Sequence, residues 1–249
     1  LGLTMYLRIA DELYLKRLLV GGLDRVYEIS KDFRNEGLSR VHNPEFTMLE
    51  WYQAFSDYND QMALVERMVG HVLDQVLGKR KVAHGEDIIS FKTPFPRISL
   101  MGTLSEALGI EVFDLKDQEL RERAEALGLE DLGTAGRGKL IDKLFGALVE
   151  PKLVQPTFVI DHPKELSPLA KEHRSDARLT ERFELYIGRV EMFNGFSELN
   201  DPFDQRVRFE LQADLRDAGD DEAQQVDDDY LRALEYGMPP TGGVGMGVD

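Results

Sequence analysis

Two stretches place ionisable side chains among apolar ones at spacings that can do chemistry. The first is Phe33-Arg34-Asn35-Glu36-Gly37, followed by His42-Asn43-Pro44-Glu45-Phe46-Thr47-Met48-Leu49-Glu50-Trp51-Tyr52. A guanidinium at the end of a buried strand forks onto a phosphate and a carboxylate together, which an ammonium does less well, so Arg34 suits a reacting phosphoryl centre. If 46–52 is extended, its two-residue period puts Phe46, Met48, Glu50 and Tyr52 on one face and Thr47, Leu49 and Trp51 on the other. A carboxylate then sits beside a phenol among apolar residues. The same pattern also fits a surface glutamate on an edge strand, because Glu is seldom buried unpaired.

The second stretch is Phe183-Glu184-Leu185-Tyr186-Ile187-Gly188-Arg189-Val190-Glu191. With Gly188-Arg189 as a two-residue turn, Tyr186 falls opposite Glu191, and Glu184 shares their face. Two carboxylates on one ladder face, roughly 7 Å apart at the backbone, suit Mg2+, which keeps waters and completes its shell with phosphate oxygens. A solvated polar face has the same spacing. Beyond Glu191, Asn194, Phe196 and Glu198 alternate on one face with the opposite parity. For both sets to line one pocket, the strand needs a bulge, expected near Phe193 to Gly195.

These residues need elements to hold them. Tyr6 to Ala10 reads as a short strand and Asp11 to Val20 as a helix ended by Gly21-Gly22. Val26 to Phe33 alternates as a strand, with Tyr27, Ile29 and Phe33 on one face and Glu28, Ser30, Asp32 and Arg34 on the other. It pairs with Phe46 to Phe55 as an antiparallel hairpin with a long tip. Asp60 to Leu77 has helical spacing and stops at Gly78. A zone from about 99 to 150 is different in kind, with helices expected at 100–108, 117–127 and 139–149. It reads as a helical insertion. Strand character returns at 155–160, 163–170 is a Pro-punctuated loop, 182–199 is the hairpin above, and 227–236 is a helix. No internal repeat or low-complexity tract is found.

Composition bounds the chemistry. The 249 residues are 42% hydrophobic, with 13 Phe and 8 Tyr, enough for a sizeable core. With no Cys and only five His, thiolate metal sites, disulfides and a Cys nucleophile are excluded, and a zinc set is not supported. A metal should be a hard ion on carboxylates. The formal charge of -16 has the wrong sign for a chain that holds nucleic acid over its whole surface. No apolar run reaches the roughly 20 residues of a membrane span, and no signal peptide is apparent, so a cytoplasmic protein is expected. The acidic run from Asp217 to Asp229 reads as a solvated loop and helix start.

The stretch Arg34 to Tyr52 resembles the second signature motif of class II aminoacyl-tRNA synthetases in its lysine-specific form. Asn194-Gly195-Phe196-Ser197-Glu198-Leu199-Asn200-Asp201 is similar to another lysine-specific segment, and Tyr6 to Ala10, Glu12 to Leu18, Gln155 to Phe158 and Ser167 to Ala170 match in the same order. The chain therefore looks like most of the catalytic domain of a bacterial-type lysyl-tRNA synthetase. The resemblance implies an α+β fold, a mainly antiparallel sheet flanked by helices, working as a homodimer on ATP, L-lysine and tRNA(Lys), with Mg2+. By position, Arg34 and Glu36 would hold ATP and the reacting carboxylate, His42 and Asn43 would contact the nucleotide, and Phe46 would stack on adenine. Glu184 and Glu191 would hold the metal. Glu12 would take the lysine α-amino group and Asn194 its carboxylate end. Glu50, Tyr52 and Glu198 would surround the side-chain ammonium, with Phe196 against its stem.

The departures from the family pattern are also specific. The N-terminal anticodon-binding barrel, the first motif and the end of the third motif are not in the sequence, which stops just before the third motif's arginine; the isolated chain is expected to be catalytically impaired. Ser39-Arg40-Val41 differs from a common variant with Arg directly before the His, which moves the expected triphosphate contact to Arg40. Two other readings are a paralogue that ligates lysine onto elongation factor P and a catalytically inactive relative. Ser197, where the modifier is expected to carry His, favours the aminoacylating form. Intact Arg34, Glu184, Glu191 and Glu198 argue against the inactive one.

Overall fold

A computed structural model describes residues 2–35, 38, 42–130, 132–133, 135–217 and 226–249. The chain opens with α1 (Glu12–Val20), β1 (Arg25–Phe33), β2 (Glu45–Ala54) and α2 (Tyr58–Val76). A separate hairpin, β3 (Lys81–His84) and β4 (Asp87–Ser90), precedes β5 (Arg97–Ser99). Helices α3 (Leu100–Leu108), α4 (Asp117–Ala126) and α5 (Arg137–Leu148) follow, close to the expected spans. Then come β6 (Thr157–Pro163), β7 (Glu172–His173), β8 (Asp176–Ile187), β9 (Val190–Ser197), α6 (Pro202–Asp217), α7 (Asp228–Glu235) and β10 (Thr241–Gly247). No helix among the described residues is long and apolar enough to cross a membrane.

The main sheet runs β1-β2-β10-β9-β8-β6-β5, with β7 added on β8. Every pairing is antiparallel except β5 with β6. The fold is therefore α+β with a mostly antiparallel sheet, as expected. The central strand β10 was not legible: Thr241 to Gly247 is mostly glycine, which has poor strand propensity. Close approach requires glycine at Gly242, where a Cβ would stand 2.7 Å from Gln61 Cγ, and at Gly243, where it would collide with Glu198.

The period-2 alternation of the strands sorts the sheet into two faces. On one face, α2 packs Met62 and Val65, both fully buried, against Trp51, Phe183 and Val244. Each such side chain contributes roughly 1.5–3 kcal/mol. Asp57 starts this helix with a reciprocal cap, accepting from the Asn59 and Asp60 amides while Asp60 accepts from its own amide. On the other face, α1 lays Leu15 and Leu19 over Tyr52 and Ala54, and α6 and α7 close around it through Phe209, Tyr230, Leu231 and Leu234. Helices α3 to α5 form their own core, centred on Leu104, Leu120, Leu140 and Leu144 and joined to the sheet through Val159 and Tyr186.

Two local expectations are corrected, and the burial of β1 is settled. Tyr6 to Ala10 is not a strand; Tyr6 is 89% exposed and the Arg8 carbonyl accepts from Phe33 N (2.9 Å), one bond where a ladder needs a run. The two faces of β1 alternate as expected, and the polar one is the buried one: Asp32 is wholly enclosed while Tyr27 and Ile29 face outward. Asp11, Ser30 and Arg8 are the reason, because the Ser30 hydroxyl donates to Asp11 and Arg8 pairs with Asp11 at 2.7 Å. That network fixes the start of α1. Finally, the β8–β9 turn at Gly188-Arg189 is as expected, both residues having positive φ, but the register shift falls between the Leu185–Phe193 and Tyr186–Glu191 pairs. The unpaired residue is therefore Met192 rather than one of Phe193 to Gly195. Gly195 serves packing instead, since a Cβ there would stand 2.6 Å from the Phe183 ring.

Candidate active site

A cleft of 190 Å³ opens between α1, β2, β10 and β9. Parity in β2 points Glu50 and Tyr52 into it, and the Met192 bulge brings Glu191 onto the same side as Asn194, Phe196 and Glu198. Glu12 reaches in from the first turn of α1, and Arg34 from the chain just beyond β1. Eight of the fourteen expected site residues thus line one cavity.

At the closed end, the Tyr52 hydroxyl donates to Glu50 Oε2 at 3.0 Å. Burial pushes Glu50 up to about 8, helped by the nearby Glu12 charge and opposed by the Tyr52 hydrogen bond. Burial likewise pushes Glu198 well above the carboxylate range, against the pull of Lys16. Lys16 has no expected role, yet it is wholly buried and its ammonium contacts both Glu12 and Glu198. The same ammonium lies 5.3 Å from the Phe196 ring centroid and 5.9 Å from that of Tyr52. The four-residue spacing from Glu12 is visible in the sequence, but such pairs usually sit in solvent. Asn194 Oδ1 accepts from Arg182 Nε at 3.1 Å, which orients its amide.

At the open end, Arg34 donates to the Ile9 carbonyl at 3.1 Å and stacks its guanidinium 5.1 Å from the Phe46 ring centroid. Phe46 is half-buried beside the cleft. His42 and Asn43 are exposed on the approach to β2 and are not brought into the cavity wall. Glu36 and Arg40 lie outside the described residues.

Glu184 stands behind the cleft wall. It accepts from Arg182 Nη2 (2.6 Å) and from the Tyr186 hydroxyl (2.9 Å), and His162 Nε2 is 3.4 Å away. Burial alone would raise its pKa; the His162 and Arg182 charges win, and the group lies below the usual carboxylate range. Glu191 goes the other way, raised by loss of surrounding water and by the Glu184 charge. Its side chain remains open to the cleft, so the repulsion from Glu184 is the cause that persists there. Sequence reasoning missed His162, and also Glu150, which shares the Tyr186 hydroxyl at 3.0 Å; both come from elements distant in the chain. Among the described residues, no group of three or more His, Asp or Glu is placed to hold a metal. Two crowded carboxylates supply hard oxygen donors that a divalent ion with phosphate ligands would fit.

A family model described as tRNA synthetases class II (D, K and N) matches residues 2–249. The lysine–tRNA ligase of Porphyromonas gingivalis (strain ATCC 33277) is 53% identical over 249 residues, covering all of this chain and 43% of its own length. That of Christiangramia forsetii is 52% identical over 249 residues, covering 100% of this chain and 44% of its own length. That of Thermotoga sp. (strain RQ2) is 53% identical over 247 residues, covering 99% of this chain and 49% of its own. The chain spans about half the length of the curated relatives it matches.

Proposed function

Because the chain belongs to the class II tRNA synthetases of the D, K and N group, we propose that it carries the catalytic site of a lysine–tRNA ligase, which activates L-lysine with ATP and passes it to the 3′ end of tRNA(Lys). The observation that carries this reading is the closed end of the cleft. Glu12, Glu50 and Glu198 converge there beside the Phe196 and Tyr52 rings, a site for an amino acid with a cationic end and an apolar stem. The same end has the wrong sign for aspartate. The relatives' names favour tRNA as the acceptor over elongation factor P.

In this reading Glu12 holds the α-ammonium, Asn194 orients the carboxylate end, and Glu50, Tyr52 and Glu198 take the side-chain ammonium. The lysine carboxylate attacks the α-phosphorus of ATP in line, releasing pyrophosphate. Arg34 bridges the two reacting partners and stabilises charge on the phosphoryl oxygens. Phe46 stacks on the adenine, and Glu36, Arg40, His42 and Asn43 belong to the nucleotide side. Glu184 and Glu191 would hold Mg2+, which supplies neutralisation of the triphosphate charge. No protein nucleophile is required. The 99–150 zone is read as an insertion in the catalytic domain, and the working protein as a cytoplasmic homodimer.

The test is amino-acid-dependent exchange of pyrophosphate into ATP, run on the full-length protein with each of the twenty amino acids. Exchange with lysine alone is expected. Exchange with another amino acid, or with none, would remove the assignment of Glu50 and Glu198 to an ammonium.

A further inference from the structure

Lys16 is a cation inside a site built for cations. Its stem is enclosed on α1, between Leu15 and Leu19, which pack against β2, and its ammonium is shared by Glu12 and Glu198. Tyr230 on α7 closes the rear, wholly buried and with a hydroxyl that has no hydrogen-bond partner. The 190 Å³ cleft is the space that remains with Lys16 in place. To swing out, Lys16 would have to leave both carboxylates and unpack its stem, and a buried charge deprived of its partner is strongly unfavourable.

The charges at this end can be counted. Glu12, Glu50 and Glu198 are three carboxylates, and Lys16 offsets one. Arg34 lies at the open end with Glu191, where a carboxylate and phosphates are expected. We propose that Lys16 is a resident counter-cation that leaves the closed end short by two positive charges, so that the cleft selects a ligand carrying two ammonium groups. It is a positioning residue and touches no reacting atom. The inference rests on the lysine reading above. Free L-lysine brings two ammonium groups and completes the count. L-norleucine, similar in shape with one ammonium, leaves a carboxylate unpaired.

An empty cleft with two excess negative charges holds protons, in keeping with the raised Glu50 and Glu198, and lysine must displace them. Without Lys16 the excess is three, and the protons are held more tightly. The groups that face this end are Glu12 on α1, Glu50 and Tyr52 on β2, Glu198 on β9 and Tyr230 on α7, with Asp11 and Asp32 behind Glu50.

The experiment is calorimetric binding of L-lysine and L-norleucine to the full-length protein, without ATP, from about pH 6 to about pH 9. Wild-type affinity for lysine should rise with pH along a limb set by these carboxylates. Lys16→Met should move that limb up by about one pH unit or more, which is about tenfold weaker binding at a pH on the limb. A limb that stays in place, whatever the loss of affinity, would mean that Lys16 only fills space and would overturn the proposal. Should Lys16→Met not fold, amine-acylation footprinting of the wild type decides. Lys16 should stay unlabelled with and without saturating lysine, and labelling on saturation would show that lysine displaces it. Wild-type protein that does not prefer lysine to norleucine would instead sink the underlying reading, independently of Lys16.

Discussion

A Cβ on Gly243 would collide with Glu198 Oε1 and stand 2.5 Å from Cδ1 and Cε1 of Tyr52. The backbone of β10 is therefore the floor of the cleft, and Glu198 and Tyr52 have their positions only because that floor has no side chain. Gly243→Ala should cost about 1–3 kcal/mol of stability by overpacking. Displacing two ligand-facing groups by about 1 Å should lower lysine-dependent pyrophosphate exchange on the order of 100-fold. Thermal melting and exchange measured together test both parts, and undiminished exchange would show that Glu198 can move without consequence.

Glu50 makes folding and binding respond to pH in opposite directions. Its folded pKa of about 8 lies above the roughly 4.3 of an unfolded Glu. Between those values the folded chain holds a proton that the unfolded chain has lost. The resulting stability is fully present below about pH 4.3 and is lost as pH rises through about 8. Wild type should thus lose a few kcal/mol across this window that Glu50→Gln does not lose. Lysine affinity should rise over the upper part of the same window, because the ammonium requires the ionised form. Denaturant melts of both proteins at pH 5 and pH 8 are the check; parallel curves would contradict it.

Glu198 should carry discrimination. A site that pairs a ligand's polar group rejects the analogue lacking it by on the order of 10⁴. Glu198→Gln should reduce the preference for L-lysine over L-norleucine by about 100-fold or more, with the larger effect on lysine. Equal losses for both ligands would assign Glu198 to packing alone.

The two proposed metal ligands should separate experimentally. Glu191 is exposed to the cleft, so Glu191→Gln should leave the melting temperature nearly unchanged and raise the Mg2+ needed for half-maximal exchange by about tenfold. Glu184 is buried against Arg182 and His162. Glu184→Gln should cost about 3 kcal/mol or more of stability, by leaving Arg182 enclosed without its carboxylate. A Mg2+ requirement unmoved by Glu191→Gln would remove that residue from the metal site.

What the sequence determined by itself was local. Strand parity placed Glu50 beside Tyr52, glycine and arginine at 188–189 set the hairpin that faces Tyr186 to Glu191, and helical spacing located α2 to α5. These follow from periods and turn chemistry that act over a few residues. The need for a bulge was also readable from the parity conflict between Glu191 and Asn194, although packing decided that Met192 would be the residue left unpaired. Tertiary structure alone decided the rest. The run Thr241 to Gly247 became the central strand β10 because it pairs with β2 on one side and β9 on the other, while Gln61 over Gly242 and Glu198 and Tyr52 over Gly243 leave those two positions no room for a side chain. The polar face of β1 turned inward because Asp11 and Arg8, some twenty residues earlier, meet it there. Lys16 became part of the site only because β9 delivers Glu198 to its ammonium, a meeting of residues 182 positions apart that no local period encodes.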